Sequence, residues 1–269
     1  MSRWKKLLVT AIVTVVAVGA IAVGGLYLTL KQRAVEYASP TSPTGRQTDL
    51  AALRGTRVFF GHQSVGDNIL GGLARLFDDS GTPRPPVQKI STAAEVTQGA
   101  GGRLIHAQIG RNGNPASKFA AFDALMRAGM ADHVDVALMK LCYVDFGRRT
   151  DPRDVFEHYR RTMTALERDF PKVTFIYTTV PLMTTDGYRN NLRTQFNSLV
   201  RRELRDKVVF DIAEVESRSP DGSRATGSTL GFPYEQLQAG YASDGAHLNR
   251  KGAQVVAEAF VATVNEAAQ

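Results

Sequence analysis

Three side chains in this sequence could together carry out nucleophilic acyl chemistry. Ser64 stands in "GHQSVGDNIL", residues 61–70, directly after the apolar run "RVFF" and before a helical pattern. Asp244 and His247 stand in "SDGAHLNRKG", residues 243–252, just before the last helical pattern. A carboxylate three residues from a histidine can accept from one ring nitrogen and fix the tautomer. The other ring nitrogen is then free to act as a base. Such a base needs a nucleophile, and a serine displayed where a strand gives way to a helix supplies one. The N–H dipoles at that helix start would lie where an oxyanion forms. The plainer reading makes Ser64 a helix N-cap, Asp244 a cap of the last helix and His247 a surface histidine.

The elements that must position these residues follow from hydrophobic periodicity. "RVFFG" (57–61) reads as a buried strand and "VGDNILGGLARLFDD" (65–79) as a helix with Ile69, Leu70, Leu73 and Leu76 on one face. Helices are expected over 115–130, 151–170, 188–206 and 250–268, and strands over 134–144, 172–182 and 207–213. Short, nearly continuous apolar strands alternating with amphipathic helices imply βαβ crossovers and a parallel sheet covered on both faces. In such sheets a ligand site lies beyond the carboxyl ends of the strands. Residues 214–246, rich in Gly, Ser and Pro, form the one long irregular stretch of the body, and long loops in compact domains tend to bind or cover ligands.

Two of these motifs carry a family resemblance. "GHQS" after a first strand and "DGAHLNRKG" before the closing helix resemble the SGNH/GDSL hydrolase superfamily, over roughly residues 55–268. That family draws Ser from its first block, Gly from its second, Asn from its third and an Asp-x-x-His pair from its fifth. The resemblance implies an α/β three-layer sandwich, SGNH-hydrolase or flavodoxin-like, with a central parallel sheet between helices. It implies Ser64 as nucleophile, His247 as base and Asp244 as its orienting acid. The N–H groups of Ser64 and Gly113 would hold the oxyanion, with Gly110 the second choice for the latter.

The match is uneven. Gln63 stands where the family commonly has Asp, His62 is an added residue, and "LMKLCYVDF" lacks Gly-x-Asn-Asp. Lys140, Cys142 or Tyr143 would have to take the Asn position. His62, Gln63, Asn114, Lys140 and Tyr143 are candidate substrate contacts, with a buried histidine bonded to backbone the favoured alternative for His62. The implied activity is hydrolysis of ester-linked acyl groups, acetyl foremost, on cell-envelope glycans, with no metal or organic cofactor. The alternatives are acyl transfer to another sugar by the same residues, or a polysaccharide-binding module that has lost catalysis.

The bulk composition agrees with an exported globular body. The chain has 269 residues, 43% of them hydrophobic and 22% charged, which is ordinary for a protein with a real core. Its net charge of +7 owes five charges to Arg3, Lys5, Lys6, Lys31 and Arg33, in a stretch with no acid. The rest is near neutral, and no nucleic-acid partner is expected. Leu7–Leu30 is uncharged and long enough to span a bilayer. Residues 1–33 therefore read as a signal anchor, 34–52 as a Pro/Ser/Thr-rich linker and 53–269 as the exported domain. That topology puts the domain on the periplasmic face of a bacterial inner membrane. Cleavage near Ala20-x-Ala22 would instead give a secreted protein. The single cysteine, Cys142, excludes an intrachain disulfide, and no Cys/His pattern has metal-ligand spacing.

Overall fold

In the computed structural model, residues 49–97, 99 and 101–269 are described. The expected membrane span and all but the end of the expected linker lie outside them. Among the described residues no helix is long and apolar enough to cross a membrane.

Among the described residues fifteen regular elements follow one another: α1 (Leu50–Gly55), β1 (Arg57–His62), α2 (Val65–Ser80), β2 (Val87–Lys89), β3 (Arg103–Gln108), α3 (Pro115–Arg127), β4 (Val136–Met139), α4 (Pro152–Asp169), β5 (Thr174–Thr178), α5 (Gly187–Glu203), β6 (Val209–Phe210), α6 (Ile212–Ser217), β7 (Thr226–Thr229), β8 (Phe232–Glu235) and α7 (Arg250–Ala267). Short 3-10 turns join several of them. Helix α1 crosses the expected domain boundary at residue 53, and Leu53 is already buried.

The main sheet runs β2-β3-β1-β4-β5-β6, with every neighbouring pair parallel. Without the three-residue edge strand β2, its five remaining strands are connected in the flavodoxin-like order 2-1-3-4-5. The chain leaves β1 for β3 on one side and later lays β4 on the other. The carboxyl end of β1 is therefore the switch point where a crevice opens.

Both faces of the sheet are covered, as a parallel sheet requires. Strand alternation sends Phe59 to one core, with Phe119 and Phe122 of α3, Phe156 and Tyr159 of α4, and Phe196 of α5. It sends Val58 and Phe60 to the other, with Ile69 and Leu73 of α2 and Val256 and Phe260 of α7. Each fully buried Phe contributes about 1.5–3 kcal/mol of transfer free energy. The closest helix pairing is α2 against α7. A Cβ on Gly72 would stand 2.2 Å from the Ala253 carbonyl oxygen, so the helices meet backbone to backbone there.

Among the described residues five helix starts are fixed by side-chain caps: Asp49 accepts from Ala51 N and Ala52 N, Asn114 from Ser117 N, Asp151 from Arg153 N and Asp154 N, Asp211 from Glu214 N, and Asn249 from Gly252 N. Each satisfies N–H groups that the first turn leaves unpaired.

The sequence reading differs from the fold in five places, one being the expected strand 172–182, which is only Thr174–Thr178. Strands β2 and β3 lie where none was expected. The expected strand 134–144 ends at Met139, because the chain turns into a 3-10 segment over Tyr143–Asp145. The expected strand 207–213 is only Val209–Phe210, after which Asp211 caps α6. The irregular stretch 214–246 holds most of α6 and the antiparallel hairpin β7–β8. Arg201 of α5 pins that hairpin, reaching Glu235 at 3.0 Å and Asp211 at 2.6 Å.

Candidate active site

Ser64 follows β1 and opens α2, but its side chain makes no cap hydrogen bond. Its Oγ stands 2.6 Å from His247 Nε2 instead. The backbone there is unusual, with φ 52° and ψ −105°. A non-glycine residue in such a region costs about 1–3 kcal/mol and persists only where its surroundings hold it. They do so here. The Gln63 amide donates to the carbonyls of Ile109 (2.9 Å) and Gly110 (2.6 Å). On the other side Gly66 N donates to Gln63 O and Asp67 N to Ser64 O.

His247 is held by Asp244 through two contacts. Its Nδ1 lies 2.7 Å from Oδ2, and its backbone N–H donates to Oδ1 at 2.8 Å. Ala246 N adds a third bond, at 3.1 Å. These bonds, led by the His247 N–H, hold the Asp244 carboxyl down at about 2. An ionised carboxylate only accepts, so the geometry assigns the imidazole proton to Nδ1 and leaves Nε2 as the acceptor for the Ser64 hydroxyl.

The loop bearing this pair is tied to its neighbours. Gly245 takes φ 89°, and its carbonyl accepts from Thr184 N at 2.8 Å and from Thr184 Oγ1 at 3.2 Å. Leu248 N donates to Asn68 Oδ1 of α2 at 3.2 Å. Asn68 and Thr184 carried no sequence signal. They act as single polar side chains placed by the tertiary fold.

The candidates after β4 separate cleanly. Lys140 is fully buried, with Nζ 3.4 Å from Leu141 O and 3.5 Å from Cys142 Sγ, and burial lowers its pKa. Cys142 is buried as well, its Sγ 3.6 Å from Gln63 O. Tyr143 reaches the Ser64–His247 pair. Its Oη lies 3.4 Å from His247 Nε2, and the two rings meet edge to face, with centroids 5.7 Å apart. Burial, then the Asp244 charge, raises the Tyr143 pKa, so the phenol stays protonated at neutral pH.

Two buried charged groups set this turn. Asp145 accepts from Cys142 N (2.7 Å), Gly113 N (2.8 Å) and Lys118 Nζ (2.6 Å). Arg193 of α5 donates through Nε to Tyr143 O at 2.9 Å and through its terminal nitrogen to Asn190 Oδ1 at 2.6 Å.

Four expected contacts and one oxyanion donor are therefore placed differently from their sequence reading. His62 is wholly buried. Its ring stacks on Phe60 and its Nε2 is 3.0 Å from His106 Nδ1. Burial, with Lys140, His106 and Lys89 nearby, pushes it down to about 3. Lys140 is enclosed, Gln63 braces the β3 loop, and Asn114 caps α3. Gly113 already donates its N–H to Asp145. Gly110, with φ 58° and its backbone beside Ser117 and Lys118, is bound to the Gln63 side chain next to Ser64.

No family model and no curated protein sequence matches the chain. Solved structures do. A protein from Bacteroides fragilis described as an acylhydrolase is 12% identical and aligns over 80% of this chain and 88% of its own, with TM-score 0.50. A lipolytic protein of the G-D-S-L family from Desulfitobacterium hafniense is 14% identical over 77% of this chain and 99% of its own, at TM-score 0.46. A GDSL-like lipase from Parabacteroides merdae is 11% identical over 79% and 97%, also at 0.46. Identities this low speak to architecture alone. The chain shares the fold of the Bacteroides fragilis protein, an α/β architecture of helices about a parallel sheet.

Proposed function

We propose that this protein is a serine esterase acting through Ser64, His247 and Asp244. The observation that carries the reading is the unbroken chain of short contacts, Ser64 Oγ to Nε2 at 2.6 Å and Nδ1 to Asp244 Oδ2 at 2.7 Å. It starts from a serine whose strained backbone and uncapped side chain a mere helix start would not need.

In this mechanism Ser64 Oγ attacks an ester carbonyl carbon while its proton passes to Nε2. The carbonyl π electrons move to the oxygen, which is stabilised by the N–H groups of Ser64 and Gly110 at the start of α2 and the β3 loop. Collapse breaks the bond to the alcohol, which leaves with the proton from Nε2. An acyl-serine remains, and water or a sugar hydroxyl attacks it by the same steps in reverse. Asp244 holds the imidazole upright and stabilises its charged form.

The substrate we propose is a small acyl group, acetyl foremost, pendant on a cell-envelope polysaccharide. His247 and Asp244 keep 36% and 57% of their side chains exposed. A site so near the surface suits a group projecting from a bulky polymer. The apolar stretch Leu7–Leu30 supports anchoring at a membrane with the domain outside the cytoplasm. A second reading, a polysaccharide-binding module without turnover, draws on the missing Gly-x-Asn-Asp at 140–145.

The test is hydrolysis of a chromogenic acetate ester by the full-length chain and by Ser64→Ala. The esterase reading requires a fall of at least about 10³-fold, and equal rates overturn it. Binding of a glycan with no turnover of any ester would establish the module. Acetyl transfer to an added polysaccharide in preference to water would make the enzyme a transferase.

A further inference from the structure

The turn after β4 brings no amide side chain to the site, yet it brings a hydroxyl. Tyr143 Oη is 3.4 Å from His247 Nε2, the same nitrogen that faces Ser64 Oγ at 2.6 Å. The turn that carries it is unusually well fixed. Asp145 accepts the Cys142 N–H on one side. On the other, the fully buried Arg193 guanidinium donates to the Tyr143 carbonyl. Arg193 makes its contacts with that carbonyl, with Asn190 Oδ1 and with Met183 Sδ. A cation buried on neutral acceptors is costly, and here it holds one short segment whose side chain ends at the reacting atoms.

We propose that the Tyr143 hydroxyl is an oxyanion donor of this active site, set in place by Arg193 as a positioning residue. The inference rests on the esterase reading above and names a catalytic group beyond its three. Nε2 has a single lone pair, and in the resting site it takes the Ser64 hydroxyl proton at 2.6 Å. The phenol is left with a long contact to Nε2. When Ser64 attacks, Oγ–C forms, the C=O π pair moves onto oxygen and the serine proton moves to Nε2. Nε2 then becomes a donor, and a charged acceptor appears within reach of Tyr143. The Tyr143 O–H gains its strong partner only in the transition state, which is the condition for raising kcat rather than tightening substrate. No proton leaves the phenol, and the balance of the step is unchanged.

The test compares wild type, Tyr143→Phe and Ser64→Ala as full-length chains in mild detergent. Two readouts are used: turnover of acetate esters with leaving groups of graded basicity, and the rate at which a fluorophosphonate probe labels Ser64. Tyr143→Phe keeps the ring, and its Tm and circular dichroism report whether the fold is kept. The expected result is a fall in kcat of roughly 10²-fold with KM little changed. The deficit should be the same for every leaving group, and phosphonylation should slow in parallel. Arg193→Lys, judged on its folded fraction, should reproduce part of the kcat loss without moving KM. Unchanged kcat in Tyr143→Phe overturns the assignment while leaving the esterase reading intact. So does a deficit that grows with leaving-group basicity, which would make Tyr143 an acid for the departing alcohol. Absence of Ser64-dependent turnover and labelling in the wild type overturns the esterase reading and the assignment with it.

Discussion

Asp244 grips His247 by both its main chain and its ring, Oδ1 taking the backbone N–H at 2.8 Å and Oδ2 facing Nδ1 at 2.7 Å. The acid thus shapes the loop as well as the tautomer, and the two roles can be separated. Asp244→Asn keeps an oxygen for the backbone N–H but turns an amide toward Nδ1, so the loop should hold while the proton sits on the wrong nitrogen. A buried acid of this kind is worth about 10⁴ in kcat. Asp244 is exposed, and water screens it, so the expected fall is about 10²-fold. Steady-state kinetics on a chromogenic ester, with Tm as the control for folding, check it. A variant with wild-type kcat would remove Asp244 from the mechanism.

The two glycines of the β3 loop should respond differently to alanine. At Gly113, φ 80°, a Cβ would meet nothing within 4 Å. Gly113→Ala should cost only the left-handed backbone, about 1–2 kcal/mol. At Gly110, φ 58°, a Cβ would stand 2.6 Å from Lys118 N. Gly110→Ala must therefore displace the loop beside Gln63, and it should lose both more stability and more turnover. Urea unfolding together with ester hydrolysis ranks the two variants, and the reverse order would contradict the placement of Gly110 beside Ser64.

Asp145 should prove a structural hub. It pairs with Lys118 at 2.6 Å, and both side chains are fully buried. Asp145→Asn leaves that ammonium without its counter-charge, a loss of about 3–5 kcal/mol. Lys118→Met added to Asp145→Asn removes the stranded charge and should recover part of the loss. Chemical denaturation of the single and double variants measures the coupling, and simple additivity would show that the pair does not act as a unit.

Glu216 sets a pH dependence of stability. Its Oε2 accepts the Leu182 N–H at 2.8 Å. Its Oε1 is buried without a partner among the described residues. Burial pushes its carboxyl up to about 8, against the pull of the Leu182 N–H, Lys140 and Arg193. From the ordinary glutamate range up to about 8, the folded chain keeps this proton and the unfolded chain has lost it. Stability from this group is therefore full below that window and falls as pH rises through it. Glu216→Gln imitates the protonated form, so its Tm relative to wild type should climb between about pH 5 and about pH 8 and then level off. A pH-independent difference would refute the assignment.

The parts of the site that were legible in the sequence were those with a local pattern. "DGAHLNRKG" announced the Asp244–His247 pair and the helix behind it, and "RVFFG" announced the strand that leads to Ser64. Strand β3 went unread because Arg103, His106 and Gln108 interrupt its apolar run. It can carry them because only the three-residue β2 lies beyond it in the sheet. Helix α6 was hidden because "KVVFDIA" continues an apolar run through Asp211, where a cap rather than a strand forms. Arg193, Asn68 and Thr184 were out of reach for a different reason. Each acts across the fold on a partner remote in sequence, and no spacing within the chain encodes such a meeting.

The backbone contact at Gly72 and Ala253 also bears on the order of assembly. Ser64 emerges early in synthesis and His247 comes 183 positions later. The base arrives on the segment that leads into α7, and α7 docks on α2 through the gap that Gly72 leaves. On the esterase reading proposed above, until that last helix has been made and has docked, Ser64 has no base, and the nascent chain cannot attack any ester it meets. Nucleophilic competence thus appears only with completion of the domain, so ester turnover measured during refolding would time the docking of α7 directly.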